Sequence, residues 1–265
     1  MQAHSGEHQA SCGYSGTGLS LIIPRMADID TVQGWLGESE RVAVLTGAGI
    51  SAESGIPVFR GPGGLWQQHR PEDLATPEAF AKDPRLVWEW YDWRRARVAQ
   101  ASPNTGHHAL ARLERRLPVL TLITQNVDGL HERAGSRRIL RLHGDLWTLR
   151  CTGCGRQNRN TEVPLPELPP RCRCGALLRP AVVWFGETLP ADILQQASVA
   201  AASAQLFFVI GTSALVQPAA SLPLMAREHG ARVVEINPER TALSSHCDIS
   251  FLARAGELLP QLVGD

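Results

Sequence analysis

Apolar residues fall in short, nearly continuous runs separated by amphipathic stretches of helical length. Positions 41–46 (Arg-Val-Ala-Val-Leu-Thr) form such a run, ending at a glycine-rich turn, and similar runs recur at 119–124, 206–210 and 232–236. A short apolar run without polar alternation reads as a strand buried on both faces. Between the runs lie helix-like stretches, 107–117 and the alanine-rich 191–204. Strands alternating with helices predict an α/β fold on a parallel sheet, with ligands taken up at the carboxyl ends of its strands.

Two regions break this rhythm. Residues 65–102 carry four tryptophans (Trp66, Trp88, Trp90 and Trp93) in a charged, helix-like context, and residues 147–180 carry four cysteines and a proline-rich patch, 164–170. Both read as insertions that build a second, smaller domain. The expected division is a larger domain from 26–64, 103–146 and 181–265, and a smaller one from 65–102 and 147–180. Residues 1–25, rich in Gly, Ser, His and Gln, read as a disordered tail. Met26 is an alternative start to Met1.

Composition narrows the picture. The chain has 265 residues, 43% of them hydrophobic, and a formal net charge of zero. That is enough to bury a sizeable core and gives no general attraction to nucleic acid or anionic lipid, so neither is expected as a partner. No apolar stretch reaches the roughly 20 residues needed to span a bilayer, so no membrane association is expected. The first basic side chain other than histidine is Arg25, unlike a signal peptide, and a cytoplasmic location is expected. Cys151, Cys154, Cys172 and Cys174 cluster, while Cys12 and Cys247 stand alone. Clustered cysteines in a chain without an export signal point to metal rather than disulfides.

Candidate chemistry starts at the first turn. Gly47-Ala48-Gly49-Ile50-Ser51-Ala52 follows a strand and fits G-x-G-x-x-A. In that pattern the first glycine permits the turn, the second lets the backbone approach a pyrophosphate, and the small third residue lets helix and strand pack. The stretch from Glu53 to Gly61 lacks the acidic residue that a dehydrogenase sets on the adenosine ribose about 20 residues on; it reads as a flap over a cofactor. Glu235, near the end of its run, is a candidate for the ribose from elsewhere.

The segment 47–60 closely resembles the signature of the sirtuins, the NAD-dependent protein deacylases. Further matches follow in the family's order: 124–131 (Thr-Gln-Asn-Val-Asp-Gly-Leu-His), Leu142-His143-Gly144, the cysteine pairs, 182–187 (Val-Val-Trp-Phe-Gly-Glu) and Gly211-Thr212-Ser213. The resemblance runs from 41 to about 255. It implies a Rossmann-like large domain and a small domain of zinc ribbon and helices, with the active site between them.

By that resemblance the acyl-lysine oxygen attacks the nicotinamide ribose, nicotinamide leaves, and a ribose hydroxyl activated by a base attacks in turn, giving O-acyl-ADP-ribose. The base is then His143, with Asn126 also in the catalytic set. On position alone His143, at a strand end, is preferred to His131, which reads as structural or solvent-facing. NAD contacts are expected from Gly47, Ala48, Gly49, Glu53, Phe59, Arg60, Trp66, Gln125, Asn126, Asp128, Gly211, Thr212, Ser213, Asn237, Glu239 and Ala255. A helix cap is the alternative role for Asn126 or Asp128. Cys151 and Cys154 have the C-x-x-C spacing of a zinc knuckle, whereas Cys172 and Cys174 are one residue apart, departing from the commoner spacing and predicting a tight turn at Arg173. Four thiolates and no water ligand make a structural zinc site.

Tyr91 and Arg94 lie three residues apart on one predicted helix face. An arginine fork beside a phenol suits a carboxylate, and sirtuins with this Tyr-x-x-Arg pattern remove succinyl, malonyl and glutaryl groups as well as acetyl. Spacing alone favours an amphipathic surface helix, given Arg95 and Arg97; the resemblance turns the reading to a pocket. The acylated peptide is expected as an extended strand on Val183, Phe185 and Gly186, opposite the segment after Ser213. A monomer is expected. The competing readings are a zinc-containing dehydrogenase, a non-catalytic NAD or ADP-ribose sensor, and ADP-ribosyl transfer.

Overall fold

A computed structural model describes residues 26–60, 64–68 and 70–264. The tail expected over 1–25 and the end of the flap at Gly61 lie outside them. The strands are β1 (Arg41–Thr46), β2 (Val119–Thr124), β3 (Ile139–Arg141), β4 (Gly144–Cys151), β5 (Gln157–Arg159), β6 (Leu178–Val182), β7 (Leu206–Ile210), β8 (Arg232–Asn237) and β9 (Ile249–Leu252). Six of them form a fully parallel sheet in the order β3-β2-β1-β7-β8-β9, the doubly wound Rossmann arrangement. The other three, β5-β4-β6, form an antiparallel sheet.

The helices are α1 (Met26–Glu38), α2 (Gly49–Ala52), α3 (Leu65–Gln68), α4 (Pro71–Leu74), α5 (Pro77–Lys82), α6 (Pro84–Gln100), α7 (Thr105–Arg116), α8 (Leu130–Ala134), α9 (Ala191–Ser203), α10 (Leu222–Glu228) and α11 (Ala255–Val263). On one face of the parallel sheet, α1, α7 and α11 bury Val32, Leu110 and Leu258 against Val44, Leu122 and Val234. On the other face, α9 and α10 bury Ala197, Ala201 and Leu222 against Leu45, Phe207 and Val233. Burial on both faces is why these strands carry no polar alternation, and each enclosed Val, Leu or Phe stabilises by roughly 1.5–3 kcal/mol.

A third core joins α6 to the antiparallel sheet through Trp88, Tyr91, Leu146, Leu149 and Leu178. Pro84 at the first turn and the Asp83 side chain accepting from the Leu86 N–H start α6. Trp88 Nε1 donates to the Leu178 carbonyl at 2.8 Å. The buried Arg95 guanidinium donates to the carbonyls of Leu146, Asn160 and Glu162, so this arginine is a structural clasp rather than part of a charged surface.

Strand ends are level: Thr46 pairs with both Thr124 and Ile210. The chain runs outward from β1 through β2 and β3, then returns to β7 on the other side of β1. The crevice therefore opens between β1 and β7, the switch point of the sheet. The chain leaves β3 for β4 at His143, whose carbonyl accepts from the Val183 N–H just past β6. That crossing sets the antiparallel sheet as a wall facing the crevice.

Candidate active site

The crevice is a cleft of about 770 Å³. One wall consists of the turns after four parallel strands: 47–49, 125–127, 211–213 and 237–239. The facing wall consists of Phe59, Arg60, Trp66, Trp90, Tyr91, Arg94 and 182–187. Of the residues expected at the cofactor, Gly47, Ala48, Gly49, Phe59, Arg60, Trp66, Gln125, Asn126, Gly211, Thr212, Ser213, Asn237 and Glu239 share this cleft. So do His143 and all five expected substrate residues, Tyr91, Arg94, Val183, Phe185 and Gly186.

Contact between two turns gives the glycines a steric reason of their own. A Cβ on Gly49 would lie 2.6 Å from the Gly211 Cα, and one on Gly211, whose φ is +60°, would lie 2.4 Å from the Ile50 nitrogen. The two turns interlock backbone to backbone, and this contact is what demands glycine on each. The helix that follows, α2, is a single turn, and the amides of Gly49, Ile50 and Ser51 are already taken by the carbonyls of Gly211, Gly47 and Ala48. It is thus not the long helix whose free N-terminal amides hold a pyrophosphate. Ala52 does not pack under the sheet either; it is exposed, beside a smaller hollow.

Polar side chains at the strand ends hold one another in place. Gln125 Nε2 donates to Thr212 Oγ1 at 2.9 Å, bridging β2 and β7 across the mouth of β1. Asn126, buried, donates to the Gly47 carbonyl at 3.0 Å and to Ser51 Oγ at 3.2 Å. His143 Nδ1 lies 3.1 Å from the Gln125 carbonyl. A carbonyl only accepts, so Nδ1 carries the proton and Nε2 keeps a free lone pair. Burial lowers the His143 pKa, against the opposing pull of that hydrogen bond, and so favours the neutral ring.

Four expected ribose or cofactor contacts are not on this wall. Asp128 is buried beneath it, where one carboxylate oxygen accepts from Ser51 Oγ at 2.8 Å and the other from the Leu130 N–H at 2.8 Å. Burial raises its pKa against those two bonds, and the cap-like alternative describes its geometry. Glu53 accepts from the Gly256 N–H at 2.7 Å, and it and Ala255 border a smaller hollow of about 260 Å³ that shares Gly49 and Gly211 with the cleft. Glu235 is fully enclosed, its carboxylate receiving the hydroxyls of Thr241, Ser244 and Ser250. It pins the loop 238–242 rather than meeting a ribose. His131, also buried, is the structural histidine, bonded to Thr46 Oγ1 at 3.0 Å.

The far end of the cleft holds a cation among rings. Arg94 is 8% exposed, with its guanidinium carbon 4.8 Å from the Phe59 ring, 4.8 Å from a Trp90 ring and 5.6 Å from the Tyr91 ring. Among the described residues no hydrogen bond or ion pair reaches it. Burial lowers its pKa, offset by Tyr91 and by Asp128 acting at a distance, but a guanidinium stays charged. Burial likewise raises the Tyr91 pKa. The Tyr91 hydroxyl accepts from Trp184 Nε1 at 2.9 Å, which leaves its own proton for another acceptor. The surface-helix alternative is excluded for this pair.

Behind Tyr91 lies machinery that the sequence reading missed. The Arg179 guanidinium lies 3.3 Å from the Trp184 ring centroid and grips both oxygens of Glu187 at 2.6 and 2.9 Å, while Glu187 accepts from the Trp184 N–H at 2.8 Å. Ser51 was missed as well; it joins Asn126 to Asp128. Both sets sit inside or beside quoted motifs, but spacing alone does not tell a scaffold from a ligand contact.

The sulfurs of Cys151, Cys154, Cys172 and Cys174 all lie within 4.8 Å of one another, with Cys151–Cys174 at 3.5 Å and Cys154–Cys172 at 3.8 Å. A tetrahedral ion with zinc–sulfur bonds of about 2.3 Å needs sulfurs about 3.8 Å apart, so these four fit one zinc with no position left for water. Cys172 accepts from the Gly175 N–H at 2.9 Å, which makes the tight turn that the one-residue spacing requires. The cleft likewise fits a dinucleotide: it is large enough, its floor is polar at the strand ends, and its rim is aromatic.

The sequence model of the Sir2 family matches residues 47–218. The chain is 54% identical to the NAD-dependent protein deacylase of Aquifex aeolicus over 219 residues, 82% of this chain and 92% of that one. It is 53% identical to NAD-dependent protein deacylase 1 of Archaeoglobus fulgidus over 229 residues, 86% of this chain and 94% of that one. Among solved structures, a Sir2 homologue in complex with NAD is 51% identical, with a TM-score of 0.84, covering 88% of this chain and 92% of that one. A Sir2 complex with a p53 peptide and NAD is 33% identical, with a TM-score of 0.81, covering 88% and 96%.

Proposed function

The chain belongs to the Sir2 family as an NAD-dependent protein deacylase, and we propose that it removes acidic acyl groups (succinyl, malonyl and glutaryl) from lysine side chains in addition to acetyl. The observation that carries this reading is Arg94: a buried cation without an anionic partner among the described residues, lining the cleft beside a phenol that has a proton to give. An unpaired buried charge is costly, and a carboxylate entering the pocket relieves that cost while an acetyl methyl does not.

The acylated lysine arrives on a peptide laid as an extended strand along 183–186, facing the segment 215–217 on the other side of the cleft. Its side chain passes the rim to bring the acyl carbonyl toward His143, and its distal carboxylate meets Arg94 and Tyr91. Gln125, Asn126 and Thr212 orient the ribose and carboxamide portions of the cofactor. Bound NAD supplies the ribose carbon that releases nicotinamide and the ribose hydroxyls that receive the acyl group. His143 accepts the proton from the attacking hydroxyl at Nε2, its Nδ1–H fixed on the Gln125 carbonyl. One water is consumed in freeing the lysine nitrogen from the acyl carbon, and the products are nicotinamide, the free lysine and O-acyl-ADP-ribose.

Matched succinyl-, malonyl- and acetyl-lysine peptides test the reading on the wild type and on Arg94→Met. Loss of a buried charge partner predicts a fall of about a hundredfold in kcat/KM for the acidic peptides, with deacetylation changed by less than about threefold. Equal losses on all three peptides would overturn it.

A further inference from the structure

We propose that Phe59 couples recognition of an acidic acyl group at Arg94 to occupation of the cofactor cradle, so that the two ligands bind cooperatively. The proposal rests on the reading of Arg94 as the partner of the acyl carboxylate. It goes beyond that reading by assigning a linkage between two parts of the cleft.

Three rings surround the guanidinium: Phe59 and Trp90, each 4.8 Å from its carbon, and Tyr91 at 5.6 Å. Trp66 backs two of them, packing on Phe59 at 5.2 Å and stacking on Trp90 at 5.7 Å. Two neighbours of the cation, Trp90 and Tyr91, come from α6 and are buried at 7% and 1% exposure. They are fixed in the third core, with Tyr91 tied to Trp184. Phe59 has a different origin. It lies on the stretch that leaves the interlocked glycine turn, is half-buried, and lines the same cleft as Gly47, Ala48 and Gly49. Of the rings on the cation, it is the one carried by the segment that leads directly out of the glycine turn.

Rings over the faces of a guanidinium attract it and exclude water, leaving its N–H edge for a planar carboxylate. A cofactor seated against the 47–60 wall holds Phe59 on Arg94, keeps the cation dry, and so strengthens its hold on a carboxylate. By linkage the reverse is also required: an acidic acyl group at Arg94 must tighten the cofactor by the same factor, whereas an acetyl group, which makes no ion pair, does not. This makes Phe59 a specificity-determining residue for the acyl group as well as a wall of the cofactor site.

The test uses ADP-ribose as the probe, since it lacks nicotinamide and cannot react. Its Kd is measured by calorimetry with saturating succinyl-lysine peptide, with acetyl-lysine peptide and with neither, and each peptide's Kd is measured alone. In the wild type the succinyl peptide should tighten ADP-ribose about fivefold more than the acetyl peptide does. In Phe59→Leu that excess should vanish while the peptide alone still binds more tightly as succinyl than as acetyl; in Phe59→Tyr, which keeps the ring, the excess should return. An excess absent from the wild type, or undiminished in Phe59→Leu, overturns the coupling and leaves the Arg94 reading intact. A wild type whose peptides bind equally well alone overturns the Arg94 reading, and the coupling with it.

Discussion

His143 spends one ring nitrogen on the Gln125 carbonyl, so proton transfer falls to the other. Burial disfavours the imidazolium and lowers the pKa below the ordinary 6.5. The sign follows directly: the base works only when neutral, and a lowered pKa keeps it neutral further into acid. The acid limb of kcat/KM for the free enzyme should therefore lie below pH 6.5, and His143→Ala should remove the limb along with most of the activity. A limb at or above that pH would contradict the assignment. His143 was legible because a histidine after an apolar run is placed at a strand end. Glu235 misled for a related reason. It stands near the end of its apolar run, but β8 continues to Asn237, parallel pairing sets it beside Ser250, and the next loop folds Thr241 and Ser244 back onto it. Register and loop return are not written in a run of apolar residues.

Among the elements, the parallel strands were the easiest to read and the antiparallel ones the hardest. Strands β1, β2, β7 and β8 are apolar because both faces are covered, whereas β5 is three exposed polar residues held only by pairing to β4. The cysteines beside that sheet do what a larger core would do elsewhere: Cys151 ends β4, and Cys172 and Cys174 lie on the turn leading into β6. Zinc therefore ties the sheet together, and β6 runs straight into the 183–187 wall of the cleft. The protein should be isolated with about one zinc per chain, and chelation should lower its Tm by about 10 °C or more and weaken peptide binding before it weakens NAD binding. Metal-free protein with unchanged Tm would show the four thiols to be mere neighbours. Trp184 and Arg179 belong to the same element-level story. They set Tyr91 through stacking and hydrogen bonds that no spacing rule encodes.

Across the whole molecule, the cleft lies where the turns after β1, β2, β7 and β8 face the segment 182–187 that follows β6 and the aromatic residues around Arg94. The strand-and-helix rhythm gave away the parallel sheet and the end of it that binds ligands; of the two interruptions, 65–102 supplies Trp66, Trp90, Tyr91 and Arg94 to the facing wall, while 147–180 supplies none of its lining. What remained hidden was the distance across the cleft, which decides that Phe59, Arg94, Tyr91 and His143 share one cavity. The proposed preference for an acid at the far end, and the proposed need for an acylated lysine before NAD is cut, both rest on that shared cavity. The most direct measurement is nicotinamide release by the zinc-loaded wild-type protein given NAD with no peptide, with an acetyl-lysine peptide, or with the matched succinyl-lysine peptide. Release should be negligible without peptide, clear with the acetyl peptide, and faster with the succinyl peptide at low concentration. Release that is independent of peptide, or that occurs with the acetyl peptide and not with the succinyl one, would contradict it.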